Sequence, residues 1–270
     1  MLVRWSVLLL FVLLLTGAAS VVTPQSDLWG RWQAHDPTSV AQIDHTPWED
    51  FLMRYLRIGA DGVHRVAYGN VDDTDRAALD RYLGYMAAIP IEKYNRDEQL
   101  AYWINLYNAL LVRLVLDNYP VRSVQDIGDG GPWDEKLIEV ADVPLSLDDI
   151  QHRILRSIWR DPRIHYALSC AAVGCPNLQP EAYRGPEVQD QLTAAAMAYI
   201  NDPRCIRTEG SRLFVSSIFR WYKEDFGGTD RAIINHLMAY AEPMLAMKLQ
   251  KFGRITGDMF DWRLNDATVG

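Results

Sequence analysis

The stretch from Asn95 to Pro120, NRDEQLAYWINLYNALLVRLVLDNYP, limits the fold of this chain more than any other feature. It predicts a long helix that ends before the proline. With Glu98 set at zero and ~100° added per residue, Asn105 falls at about −20°, Ala109 at about +20°, Tyr102 at about +40° and Asn108 at about −80°. Leucines, valines, isoleucine, tryptophan and tyrosine cover most of the remaining circumference. A helix this apolar has to be buried among other elements. The stripe of Glu98, Asn105 and Asn108 is then buried as well, and an unpartnered buried polar group costs roughly 1–3 kcal/mol. Two readings follow. The stripe is a polar wall of a site, with Glu98 as acid/base or orienting group, or it is an internal hydrogen-bond network that ties the helix to a loop.

Other segments give shorter signals. TPWED starts a helix, with Thr46 as N-cap, Pro47 as first helical residue and Glu49 as capping-box partner. DGVHRVAYGNV reads as a strand or extended segment, and DTDRAALDRYLGYMAAIP as an amphipathic helix. After the glycine-rich SVQDIGDGGPWDEK, KLIEVADVPLSL looks like a hairpin that feeds a helix capped by Ser146, with Asp149 three residues on, reaching about Trp159. RIHYALSC is a strand candidate. GPEVQDQLTAAAMAYIND and DRAIINHLMAYA are helical, CIRTEGSRLFVSS is a hairpin, and FRWYKEDFGG is a short helix closed by Gly227. The tail from Phe252 reads as extended and loop-like. Helix outweighs strand and the two do not alternate regularly. The expected fold class is α+β: a mainly helical single domain over 46–270 with a small antiparallel sheet.

The N-terminus belongs to targeting. Arg4, an apolar run from Val7 to Leu15, then Gly17, Ala18 and Ala19 form the pattern of a secretory signal over 1–19. Residues 20–45 lack periodicity and read as an irregular arm. The expected location is the bacterial periplasm or the exterior, with no membrane span once the signal is gone. The formal charge of −8 becomes −9 when Arg4 leaves, and no basic cluster tracks a phosphate backbone. Nucleic acid is therefore excluded as a partner, which leaves a small molecule or peptide. No cofactor or metal is implied: Cys-x4-Cys lacks a second ligand pair for zinc.

Export places the three cysteines, Cys170, Cys175 and Cys205, in an oxidising compartment. Cys170–Cys175 and Cys175–Cys205 are both open as disulfides, and the second leaves Cys170 free. A nucleophilic Cys170 needs a base from among His165, His45, His64, His152 and His236, and an orienting group from among Glu98, Asn105 and Asp225. On a strand, His165 and Cys170 face opposite ways; on a helix they stand about 140° apart. A bend between them is required. A Cys170 sulfur within hydrogen-bond reach of an imidazole, at the floor of an open pocket with Glu98 and Asn105, supports an enzyme. A Cys170–Cys175 bond, or a Cys170 sealed in leucines, sinks the enzyme reading. A redox dithiol is the weaker fit, since Cys-x2-Cys is the usual spacing.

EQLAYWINLYNALLV, PLSLDDIQHRILR, IHYALSCAAVGCPNL and WYKEDFGG together resemble the domain-of-unknown-function family 547, over roughly residues 75–230. The family's W-I-N-x-Y-N-A pattern corresponds to Trp103, Ile104, Asn105, Tyr107, Asn108 and Ala109. Its H-x-A-L-x-C pattern corresponds to His165, Ala167, Leu168 and Cys170, and its D-F-G to Asp225, Phe226 and Gly227. The resemblance implies which residues belong together. It also implies a role for Cys170 that does not need Cys175, the less general of the two cysteines. The expectation is an exported thiol-dependent hydrolase or acyl transferase. Its catalytic candidates are Cys170, His165, Glu98 and Asn105, and its binding candidates are Asn108, Trp103 and Asp225. The alternative is a non-catalytic binding or scaffold domain in which the same cluster is a structural network.

Overall fold

The computed structural model describes residues 25–129 and 131–267. The signal segment and residues 20–24 of the arm lie outside them. The rest of the arm reaches inward: Trp32 and Ile43 are buried, and the Trp32 ring meets Trp103 edge-on at 5.1 Å. Helix α1 (Thr46–Tyr55) leads to the antiparallel pair β1 (Leu56–Ile58) and β2 (His64–Val66). Two longer helices follow, α2 (Asp73–Ala87) and α3 (Arg96–Asn118). The hairpin β3 (Ile138–Val140) and β4 (Val143–Leu145) comes next. A π-helical segment, Asp149–Leu155, continues into α4 (Arg156–Trp159), and α5 (Ile164–Ala167) is a single turn. Then come α6 (Val188–Ile200), the antiparallel β5 (Ile206–Glu209) and β6 (Arg212–Ser216), α7 (Ile218–Trp221), α8 (Asp230–Tyr240) and α9 (Pro243–Leu249). Last is β7 (Gly257–Met259), which pairs in parallel with β6. The chain is a mainly helical α+β protein with small sheets, as its pattern predicts.

Helix α3 is the axis of the larger core. Asn95 caps it, its Oδ1 accepting the Glu98 N–H at 2.9 Å, and nearly all of its circumference is buried. Helices α1 and α2, the β3–β4 hairpin and the π-helical segment pack around it. A second core gathers α6, β5, β6, α7, α8 and α9 around Phe219, Phe226 and Ile234. The short α5 joins the two: Ile164, Ala167 and Leu168 enter the first core and Tyr166 the second. His165 stands between them.

Three local expectations change. Helix α1 begins at Thr46 with His45 as N-cap. Glu49 forms no capping box; it accepts the Ala182 N–H and pairs with Arg184 instead. The expected capping box does form at Ser146: Asp149 N–H donates to Ser146 Oγ, and Asp149 Oδ2 accepts the Ser146 N–H. The helix it starts is π-helical for much of its length. RIHYALSC is one helical turn and a loop, not a strand. Its residues are held by partners far along the chain, so strand-forming side chains do not decide its shape.

Candidate functional site

Asn108 fixes the end of α5. Its Nδ2 donates to the Ala167 carbonyl at 2.9 Å and its Oδ1 accepts the Ser169 N–H at 2.9 Å. The chain therefore turns out of the helix at Leu168 and delivers Cys170 to a surface cleft. Ala171 follows at φ 54°, a left-handed conformation that side chains with a Cβ seldom adopt. The C-terminal tail holds it there. Val173 N–H donates to the Arg263 carbonyl and Gly174 N–H to the Asp261 carbonyl, each at 2.8 Å, and the Ala171 carbonyl accepts the Asn265 N–H at 3.1 Å.

The cleft has a volume of about 370 Å³ and opens between the two cores. His165, Ser169 and Cys170 line it, together with Gln151 and His152 from the π-helical segment and Tyr222 just after α7. Trp133, Trp221 and Trp262 form apolar walls. A π-helical segment displaces side chains from the α-helical register and recurs at functional sites. Here it carries Gln151 and His152 to one cleft, beside Asp148 at its N-cap.

His165 is buried, with its Nε2 2.7 Å from Asp225 Oδ2, and its ring stacks on Tyr222 at 4.1 Å between centroids. Arg156 donates Nε and Nη2 to the same Asp225, at 2.6 and 2.9 Å. Burial works against ionising Asp225, but the hydrogen bonds from His165 and Arg156 outweigh it and hold the carboxyl below the usual carboxylate range. Burial also pushes the His165 imidazole below its ordinary value, and Asp225 only partly offsets this. His165 is thus neutral near pH 7, with its proton on Nε2 and a lone pair on Nδ1. That Nδ1 is buried and makes no hydrogen bond, to Cys170 or to any other described residue. Arg156 can only donate, so Nδ1 of His152 accepts from it at 3.1 Å. The His152 proton then sits on Nε2, 3.3 Å from Asp148 Oδ1.

Cys170 is bonded to Cys175. This corrects the expectation of a Cys170 independent of its neighbour, is the outcome that sinks a standing thiol nucleophile in the oxidised protein, and excludes the Cys175–Cys205 pairing. Cys205 is free and buried, and desolvation pushes its thiol well up. Cys170 is half-buried at the cleft, whereas Cys175 is 2% exposed.

The remaining sequence candidates stand elsewhere. Glu98 accepts backbone N–H groups of Ile43, at 2.7 Å, and Gly185, away from the cleft. Asn105 clamps Tyr183, donating to its carbonyl at 2.7 Å and accepting its N–H at 2.9 Å. Trp103 is packed in the larger core. His45, His64 and His236 bond to Tyr82, the Leu178 carbonyl and Tyr166, none of them at the cleft. Sequence reasoning overlooked the Tyr222 stack, the Asp148–His152 pair, Arg156 and the tryptophan walls. The Asp148/His152 spacing of four residues on a helical pattern was the one local signal for that pair.

The matched helix and the cysteine block are thus joined through Asn108. Residues 91–200 match the model of a family described as a protein of unknown function, DUF547. No curated protein and no solved structure matches the chain. The DUF547 match runs from just before α3 to the end of α6 and includes His152, His165 and the Cys170–Cys175 pair. Trp221, Tyr222, Asp225 and Trp262 lie beyond it, so the cleft takes one wall from the matched segment and the other from the C-terminal part. Among the described residues, no group of His, Cys, Asp and Glu is arranged to hold a metal ion, and no helix is long and apolar enough to cross a membrane.

Proposed function

We propose that this chain is an exported thiol-dependent hydrolase or acyl transferase. Cys170 is the nucleophile, His165 its base and Asp225 the group that orients the base. Because the Cys170–Cys175 disulfide sinks a nucleophile in the oxidised protein, the proposal holds for the reduced protein alone, and the disulfide is its masked form. The observation that carries the reading is the unpartnered Nδ1 of His165, buried in a cleft shared with the half-buried Cys170 while Nε2 is fixed by Asp225. A base oriented at one nitrogen and free at the other is what a cysteine nucleophile requires. His45 also has an unpartnered nitrogen, but it is completely buried and lines no described cleft.

The chemistry has two stages. A dithiol reduces the disulfide and is itself oxidised, leaving thiols on Cys170 and Cys175. Cys170 then passes its proton to His165 Nδ1 and attacks a carbonyl carbon. The leaving group takes that proton and departs, and a thioester remains. Water or a second nucleophile releases the acyl group and regenerates the thiol. Placement of the disulfide in an oxidising compartment fits the export signal read over 1–19.

The test is alkylation of the reduced protein by iodoacetamide, with peptide mass mapping. Cys170 is expected to react about tenfold faster at pH 7 than an ordinary thiol, which is only a few per cent thiolate there, and His165→Ala should remove the difference. Reaction at an ordinary rate, unchanged by His165→Ala, sinks the nucleophile. Two observations favour the second reading, a non-catalytic binding domain: Cys170 is tied to Cys175, and Glu98, Asn105 and Asn108 are all committed to backbone clamps. On that reading Cys170→Ser alters stability and leaves ligand binding in place.

A further inference from the structure

The walls of the cleft point to what it takes. The charged side chains that line it, Asp148 and Arg220, already have partners: Asp148 lies 3.3 Å from the His152 Nε2, and Arg220 pairs with Asp258 at 3.1 Å. An anionic ligand would meet the Asp148 carboxylate and compete with Asp258 for Arg220, and a cationic ligand would meet Arg220 and compete with His152 for Asp148. The Trp221 and Trp262 rings lie 5.4 Å apart at 34°, and Phe260 wedges against both, at 4.8 and 4.7 Å. Phe260 braces the two indoles from outside the cleft, because it does not line the cleft itself. Trp133 is set into the cleft by two contacts. Its carbonyl accepts the Asp148 N–H at 2.9 Å, and its ring lies against Gly131, where a Cβ would come within 2.9 Å of Trp133 Cδ1. Gly131 also has φ 110°, a conformation that favours glycine.

A fixed aromatic wall discriminates more than a merely apolar one. Aliphatic groups gain only buried area on it, whereas a ring also gains offset or edge-on contact. We propose that the cleft binds an uncharged acyl group bearing an aromatic ring, such as the carboxyl side of an aromatic residue in an amide, ester or thioester. The ring lies on Trp221 and Trp262, and the carbonyl points toward Ser169, Cys170 and His165. This rests on the acyl-transfer reading of the same cleft, and its test is independent of the thiol.

The experiment is calorimetric titration of the disulfide-intact protein, in which Cys170 cannot react. The probes are N-acetyl-phenylalanine amide, N-acetyl-leucine amide and the anionic N-acetyl-aspartate. The aromatic amide should bind roughly fivefold tighter than the leucine amide, with the aspartate weakest. Trp262→Leu keeps the wall apolar and should remove the preference for the ring. Equal affinities for the two amides, tighter binding of the anion, absence of binding by the aromatic amide, or a preference that survives Trp262→Leu each overturn the proposal. Failure of the alkylation test alongside a retained ring preference would remove the nucleophile and leave this binding site standing.

Discussion

At the scale of single residues, the three polar side chains of α3 do one kind of work. Each replaces a backbone-to-backbone bond that an irregular segment lacks. Asn105 and Asn108 pair in both directions with one segment apiece, 78 and about 60 residues away, and Glu98 accepts two N–H groups. The stripe was legible as buried and polar, because helical spacing is local. Its partners were not, because nothing near position 108 names Ala167 and Ser169. Removal of one such side chain strands a donor and an acceptor in the core. Asn108→Ala should therefore destabilise the protein by about 2–4 kcal/mol, taking both stranded groups together. Urea unfolding measures it. The same substitution at Asn105 should cost a similar amount but leave the alkylation rate of reduced Cys170 unchanged, since Asn108, and not Asn105, bonds to the cysteine segment. A change of less than about 0.5 kcal/mol, the size of a plain surface substitution, would mean that these bonds are replaced by water.

At the scale of elements, α3 could be read from its own residues and α5 could not. A 23-residue helix carries its burial pattern over six turns. A four-residue turn carries almost no pattern, and its shape comes from Asn108, from the two cores it joins and from the tail that pins Ala171. Helix α3 also dictates what may approach its N-terminus. Gly185 passes so close that a Cβ there would stand 3.0 Å from both the Cα and the N of Glu98. Gly185→Ala should cost about 1–3 kcal/mol, because the Cβ would also meet the Glu98 carboxylate, and the Cα and N behind it are backbone and cannot swing aside. Gly84, exposed within α2, has nothing within 4 Å of its Cβ position, and Gly84→Ala should stabilise by about 0.5–1 kcal/mol through helix propensity alone. Denaturant midpoints of the two variants should move in opposite directions. If they move together, close approach to α3 is not what selects glycine at 185.

At the scale of the whole molecule, the tail closes the structure. Asn265 bonds to Tyr68, to the Val66 N–H and to the Ala171 carbonyl, so the last described turn of chain ties β2 to the cysteine loop. The arm near the other end also packs inward, and beside it lies the group that should govern acid stability. His45 is completely buried, with Nδ1 2.7 Å from the Tyr82 hydroxyl, and burial lowers its pKa from 6.5 to about 4, with Arg184 adding to the effect and Asp44 opposing it. The unfolded chain takes up a proton there near pH 6.5, which the folded chain refuses until about pH 4. The unfolded state binds more protons throughout that window, so the contribution is fully present above pH 6.5 and is lost as the pH falls through it. At ~1.4 kcal/mol per unit, the loss from this one histidine is about 3 kcal/mol by pH 4. His236, lowered to about 4 by burial, adds to the same slope. Asparagine can match the Nδ1 contact without titrating. His45→Asn should therefore unfold in urea with a weaker dependence on pH between 7 and 4.5 than the parent, whatever its stability at pH 7. If the variant keeps the parent's full pH dependence, His45 is not the group that drives acid unfolding, and the slope belongs to His236 and His165.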